Sequence, residues 1–207
     1  MYKIKGDPDN ALRHLQGSLV IHKEVGYKWG ELRALGNIGL TCSDKGDLDN
    51  ALKYLQDALV ISKEIGYKQG EAVALNDLGL IYSNKGDPDN ALKYHQDALA
   101  IHKEIGFKQG EASALGSIGC IYQIKGDLDN ALKYHQGALA IYKEVGYKWG
   151  EASILGNLGL IYSKKGDLDN ALKYLQDSKA IFARIGAKPQ IQIAKRAIDM
   201  IQSKTAQ

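Results

Sequence analysis

The sequence predicts an all-α fold, an α-α superhelix of antiparallel helical hairpins, and three observations predict it. The dipeptide Gly-Asp returns at Gly6, Gly46, Gly86, Gly126 and Gly166, a period of 40 residues, and a strict period of this length marks an array of stacked supersecondary units. Each period holds two stretches whose apolar residues recur at intervals of three and four, the spacing that lines one face of a helix. The 23 glycines of the 207-residue chain fall at fixed places in the period, most of them where a helix would stop.

Within one period, residues 71–82 place Ala74, Leu75, Leu78, Ile81 and Tyr82 on one face and predict a first helix, A. After Gly86, the segment 87–106 places Ala91, Leu92, His95, Ala98, Leu99 and Ile101 on a second stripe and predicts helix B. Asp87 suits the N-cap of B, because its carboxylate accepts the free amide hydrogens of the first turn, and Pro88 at the next position lacks only a hydrogen that would have no partner. Pro8 repeats that signature; Leu48, Leu128 and Leu168 stand at the same place in the other periods. Gly26, Gly66, Gly106, Gly146 and Gly186 follow the last apolar residue of each B helix, where a left-handed backbone ends the helix. Gly39, Gly79, Gly119 and Gly159 lie inside the A helices, where each costs about 1 kcal/mol against alanine. Their recurrence predicts close backbone contact with Ala51, Ala91, Ala131 and Ala171.

The period divides residues 1–187 into a truncated first unit, 1–30, and full units at 31–70, 71–110, 111–150 and 151–187; residues 188–207 form a C-terminal capping helix and tail. In that last segment Ile191, Ala194, Ile198 and Ile201 make an inward stripe, with Lys195, Arg196 and Asp199 off it. At the head, Tyr2 falls in the register of Tyr82, so only a stub of the first A helix precedes Gly6. The first B helix then has an uncovered face. That face is open to homodimerisation through the N-terminal end, to fraying in a monomer, or to a chain start set elsewhere.

The formal charge of +3 arises from 27 basic and 24 acidic residues spread along the chain, so no basic block points to nucleic acid or to a membrane surface. No run of apolar residues is long enough to span a bilayer, and no leader pattern opens the chain. Two cysteines, Cys42 and Cys120, at different places in the period give neither a zinc spacing nor a disulfide framework; a cytoplasmic setting is expected. Cys42 stands where Tyr82, Tyr122 and Tyr162 stand and reads as a thinner stretch of core, whereas Cys120 falls on the more exposed side of helix A.

Candidates for chemistry are few. His95 and His135 occupy a place that is leucine at Leu15, Leu55 and Leu175, so they are expected to be partly buried, each with one ring nitrogen hydrogen-bonded. The paired acids, such as Asp87 and Asp89, suit a helix N-terminus better than a calcium loop, which needs ligands across twelve residues. No phosphate-binding glycine loop or nucleophile elbow is present. The reading is of a protein that is not an enzyme and takes no cofactor and no metal.

The run Leu75, Leu78-Gly79, Tyr82, Gly86, Ala91, Ala98 resembles the tetratricopeptide repeat signature, and the 40-residue unit is similar to that of the Leu-Gly-Asn repeat-enriched polarity adaptors. The resemblance implies a non-catalytic scaffold that binds an extended peptide or partner segment on a concave face lined by the A helices. The polar residues before Leu-Gly or Ile-Gly would clamp the peptide: Asn37, Asp77, Ser117 and Asn157. Leu40, Leu80 and Leu160 would supply an apolar floor, with Arg33 and Asn76 among the exposed neighbours. Only Arg33 matches the arginines by which the polarity adaptors grip acidic ligands, so a mixed apolar and polar segment is expected. The alternative is an architectural repeat that self-associates through its end faces.

Overall fold

The computed structural model of the chain describes residues 7–205. It is all-α, an antiparallel helical-hairpin solenoid as the period predicts. The stub assigned to Met1–Gly6, with Tyr2 in the register of Tyr82, lies outside the described residues. The helices are α1 (Pro8–Glu24), α2 (Lys28–Asp44), α3 (Leu48–Glu64), α4 (Lys68–Asn84), α5 (Pro88–Glu104), α6 (Lys108–Ile124), α7 (Leu128–Glu144), α8 (Lys148–Lys164), α9 (Leu168–Arg184) and α10 (Lys188–Thr205). Even-numbered helices are of type A and odd-numbered ones of type B. Two compact units, 1–105 and 106–207, divide the chain. In the first, α1 to α4 each pack on the helix that follows and α2 touches α4; in the second, α6 to α9 each pack on the helix that follows, and α8 touches both α6 and α10.

The B helices begin as the sequence predicts and are held more firmly. The Asp87 carboxylate accepts from the Asn90 backbone at 3.1 Å and from the Asn90 side-chain amide at 2.6 Å. The same pair recurs at Asp47 with Asn50, Asp127 with Asn130 and Asp167 with Asn170. The asparagine of each Asp-x-Asp-Asn run is therefore a second donor to the cap, and these bonds, the side-chain amide first, hold the Asp87 carboxyl below the usual carboxylate range. The second acid of the run binds the next repeat: Lys45 pairs with Asp9, Lys85 with Asp49, and Lys165 with Asp129 at 2.6 Å. These pairs are exposed, so each adds little energy.

The A helices are longer than the apolar pattern indicates. The third repeat's A helix starts at Lys68 rather than near residue 71, leaving Ile65, Gly66 and Tyr67 as the whole connection. Gly66 takes φ of 68°, and the Tyr67 amide donates to the Ser62 carbonyl at 2.8 Å, a glycine stop that lets the chain re-enter helix at once. Lys68, Gln69 and Gly70 carry no apolar periodicity, which is why the first turn escaped the pattern.

The glycines inside the A helices do sit at the closest approach of A to B, but their main neighbour is not the alanine backbone. A Cβ on Gly39 would lie 2.7 Å from Leu55 Cγ, one on Gly79 2.7 Å from His95 Cε1, one on Gly119 2.9 Å from the His135 ring, and one on Gly159 2.7 Å from Leu175 Cγ. The Ala51 and Ala171 carbonyl oxygens stand slightly farther off, at 3.3 and 3.1 Å. The larger side chain one turn beyond each alanine thus fills the space that the missing Cβ leaves. Around this contact Ile38, Leu78 and Ile81 are fully buried in the first unit, and Ile118, Leu158 and Ile161 are buried in the second.

Tyrosine rings close the other end of the hairpins. Tyr82 stacks on Tyr94 with centroids 5.2 Å apart, and Tyr122 on Tyr134 and Tyr162 on Tyr174 at 5.3 Å. Cys42 takes the tyrosine's place in the second repeat and is buried, its thiol pushed up chiefly by that burial. At the far end α10 keeps the register of an A helix. Ile198 and Ile201 join Ala171 and Leu175 in one cluster, and Ala194 is buried while Ile191 is half-buried. The places of Leu155 and Gly159 are taken by Lys195 and Asp199, both exposed.

Glycine substitutions separate these environments. Gly159→Ala should destabilise the chain despite the gain of about 1 kcal/mol in helix propensity, because its Cβ meets both Leu175 and the Ala171 carbonyl. Gly137→Ala, whose Cβ makes only an ordinary 3.7 Å contact with Leu115, should stabilise by about that amount. Urea titrations read both; equal shifts for the two variants would remove the close-approach account.

Candidate functional site

An A helix that turns its glycine towards B must turn the residues two places before and one place after it elsewhere. In α2 these are Asn37 and Leu40, in α4 Asp77 and Leu80, in α6 Ser117 and Cys120, in α8 Asn157 and Leu160. Leu40, Leu80 and Leu160 remain 40%, 48% and 43% exposed, an apolar surface that no other part of its own unit covers. Arg33 and Asn37 are exposed and meet on the wall of a 220 Å³ cavity that also involves Leu15 and His22. In the second unit Asn157 and Leu160 share a second cavity of 220 Å³. There the Asn157 side-chain amide donates to the half-buried Cys120 Sγ at 3.6 Å, although Cys120 does not itself line the cavity. Burial pushes its thiol up. Ser117 is half-buried and borders neither cavity.

Asn76 departs from its expected place. It is half-buried and its amide is engaged at both ends: Oδ1 lies 3.1 Å from His95 Nδ1, and Nδ2 lies 3.3 Å from His102 Nε2. This matches a neutral His95 donating from Nδ1 and a His102 accepting at Nε2. The reason is His95 itself. A buried imidazole in a leucine's place needs a partner, and Asn76 supplies it where Gly36, Gly116 and Gly156 stand in the other repeats.

His135 corrects a second expectation. It is fully buried, and neither ring nitrogen has a hydrogen-bond partner among the described residues. The fourth repeat has kept the histidine of the third but has Gly116 for Asn76 and Tyr142 for His102. Burial holds both His95 and His135 down at about 4, so both are neutral at physiological pH. Asp77 is shifted the other way, raised to about 6 by burial.

The sequence reading missed part of this surface. Because α10 continues the register of A, its Ile193, Ala197 and Met200 match Ser153, Asn157 and Leu160. Ile193 and Met200 are 65% and 62% exposed, and Ile193 and Ala197 line the cavity that holds Asn157. The signal was available: Lys188 follows Lys148 by one period. Among the described residues no group of three or more His, Cys, Asp or Glu is placed to hold a metal ion, and no helix is long and apolar enough to cross a membrane.

Comparison with known proteins gives a family and a fold. The family described as tetratricopeptide repeat matches residues 1–64, 30–104, 70–144 and 110–184 in overlapping windows. No curated protein sequence matches the chain. Among solved structures, BtubC (BKLC) from P. vanneervenii superposes with a TM-score of 0.75 at 18% identity, over 97% of this chain and 92% of that one. Nearly identical TPR-like repeats of a putative kinesin light chain from Podosopora anserina give 0.69 at 15% identity, over 88% and 90%. A Rap protein complexed with competence and sporulation factor gives 0.69 at 18% identity, over 97% of this chain and 60% of that one.

The two buried histidines should respond differently to replacement. His135→Leu removes unpaired polar atoms and restores the residue of three other repeats, so it should stabilise the fold by about 1–3 kcal/mol. His95→Leu strands the Asn76 amide and should bring no such gain. The pH dependence follows. With folded values near 4, the histidines contribute stability above their ordinary 6.5 and lose it as pH falls from 6.5 to 4. Asp77 acts oppositely, since its raised carboxyl favours the fold below 3.8 and that contribution is lost as pH rises through 6. Thermal melts should therefore fall on acidification from pH 6.5 to 4, less steeply in His135→Leu and more steeply in Asp77→Asn. Parallel profiles for all three proteins would contradict these assignments.

Proposed function

The chain belongs to the tetratricopeptide repeat family, and from that premise we propose that it is a non-catalytic scaffold binding an extended peptide or partner segment on the concave face lined by its A helices. One observation carries the reading: in each unit an outward asparagine borders a cavity within a turn of an exposed leucine, Asn37 with Leu40 and Asn157 with Leu160. An asparagine side chain both donates to and accepts from a peptide backbone, and the leucines offer apolar area beside it. The length of the unit is that of the Leu-Gly-Asn polarity adaptors, but Arg33 alone follows their arginine pattern, which favours a mixed apolar and polar segment. The Rap protein complexed with competence and sporulation factor is a relative in fold that holds a partner. The setting that suits two free thiols and such a partner is the cytoplasm.

Peptide-library selection against the whole chain supplies a ligand for calorimetry. Asn37→Ala combined with Asn157→Ala should weaken the selected peptide by about 1–3 kcal/mol, the scale of lost hydrogen bonds in a partly dry site, with an unchanged circular dichroism spectrum. Equal affinities before and after would defeat the asparagine clamp.

A second reading, self-association through the end face of α1, has its own observation: Ile21 is 58% exposed on that helix, whereas its counterparts Ile61 and Ile101 are 8% and 9% exposed. Light scattering over a hundredfold concentration range tests it. A dimer split by Leu15→Glu would favour this reading, and a constant monomeric mass would exclude it.

A further inference from the structure

Resting on the scaffold reading, we infer that the A-helix face of the first unit receives a lysine or arginine side chain of the bound segment at Asp77.

The position is one that elsewhere carries a group able both to donate and to accept, Asn37, Ser117 and Asn157. An ionised carboxylate only accepts, so Asp77 cannot make the backbone clamp of an asparagine and calls for a donor. The protein supplies none. One turn away on either side along α4 stand Val73, Ala74, Leu80 and Ile81, which excludes an ion pair along the helix. The neighbouring Asn76 gives its amide hydrogens to His102. Lys63 at the end of α3 and Lys68 at the start of α4 pair with Glu71, Lys85 after the end of α4 pairs with Asp49, and none of them, nor Arg33, makes an ion pair with Asp77. Among the described residues the Asp77 carboxylate has neither a hydrogen bond nor a salt bridge.

Its surroundings make that isolation costly. Asp77 is half-buried, and a carboxylate withdrawn from water without a partner is held against its desolvation; the rise to about 6 reports the same cost. A cation docking from the partner would offset it through charge-assisted hydrogen bonds. The flanks suit a particular cation. Val73 and Leu80, 46% and 48% exposed, lie one turn before and after Asp77, and an aliphatic stem ending in a charge can lie on them while its head reaches the carboxylate. A compact metal ion would use neither flank, whereas lysine and arginine use both.

A positional-scanning library of extended dodecapeptides, panned on the whole chain, on Asp77→Asn and on Asp77→Arg, tests the inference. Asparagine is already accommodated at residues 37 and 157, so Asp77→Asn keeps the fold. The unmodified chain should enrich lysine or arginine at one library position. Asp77→Asn should bind the selected peptide at least about tenfold more weakly, the scale of one charge-assisted hydrogen bond, and Asp77→Arg should turn the preference to acidic residues. Enrichment without a basic position, or a basic preference that Asp77→Asn leaves intact, overturns this inference while the scaffold reading stands. Failure of every form of the chain to enrich any peptide overturns both.

Discussion

From α2 to α8, each A helix meets its B helix where a glycine has no Cβ to hold them apart, and the rest of the structure is organised around that contact. With Gly39, Gly79, Gly119 or Gly159 against the leucine or histidine of B, the rotation of A about its own axis is fixed, because 3.6 residues complete a turn. Leu78 and Ile81 must then enter the core, and both are fully buried. Asp77 and Leu80, on the remaining arc, must face away from it. The outward arc is thus a by-product of how the hairpin closes: the glycine decides which residues stay at the surface.

This dependence explains how much of the molecule was legible in the chain. The recurring Gly-Asp pairs, the capping aspartates and the stop glycines act locally, through backbone angles and first-turn amides, and local chemistry is readable one period at a time. The hairpins and their order followed from it. The first turns of the A helices did not, since Lys68, Gln69 and Gly70 are helical only because Gly66 and Tyr67 turn the chain in three residues. The misplacement of Asn76 has the same origin. Its partners His95 and His102 lie on the other helix of the hairpin, and only packing shows that they converge on one amide.

The His95 and His135 sites show what repetition alone cannot supply. Both histidines occupy the space a leucine fills elsewhere, and both press on a helical glycine. Yet one has a partner and the other has none among the described residues. The difference lies at a single place on helix A, Asn76 against Gly116, and it changes a satisfied polar contact into an uncompensated burial. A substitution that a sequence comparison between repeats would score as identical, histidine with histidine, is therefore physically two different residues.

The same reasoning separates framework from surface in this array. At the close contact itself the A helices carry glycine in every full repeat, preceded by a buried isoleucine or leucine (Ile38, Leu78, Ile118 and Leu158), because the contact leaves no room for a Cβ. Residues on the outward arc are not bound by it: the place of Asp77 is Asn37, Ser117 and Asn157 elsewhere, and the place of Leu80 becomes Cys120 and, in α10, Met200. The outward arc can vary without disturbing the glycine contact, so it is where units of one architecture can acquire different surfaces. The first unit's arc carries an unpaired carboxylate between apolar flanks. In the second, uncharged amide, hydroxyl and methyl groups border a cavity that α10 completes.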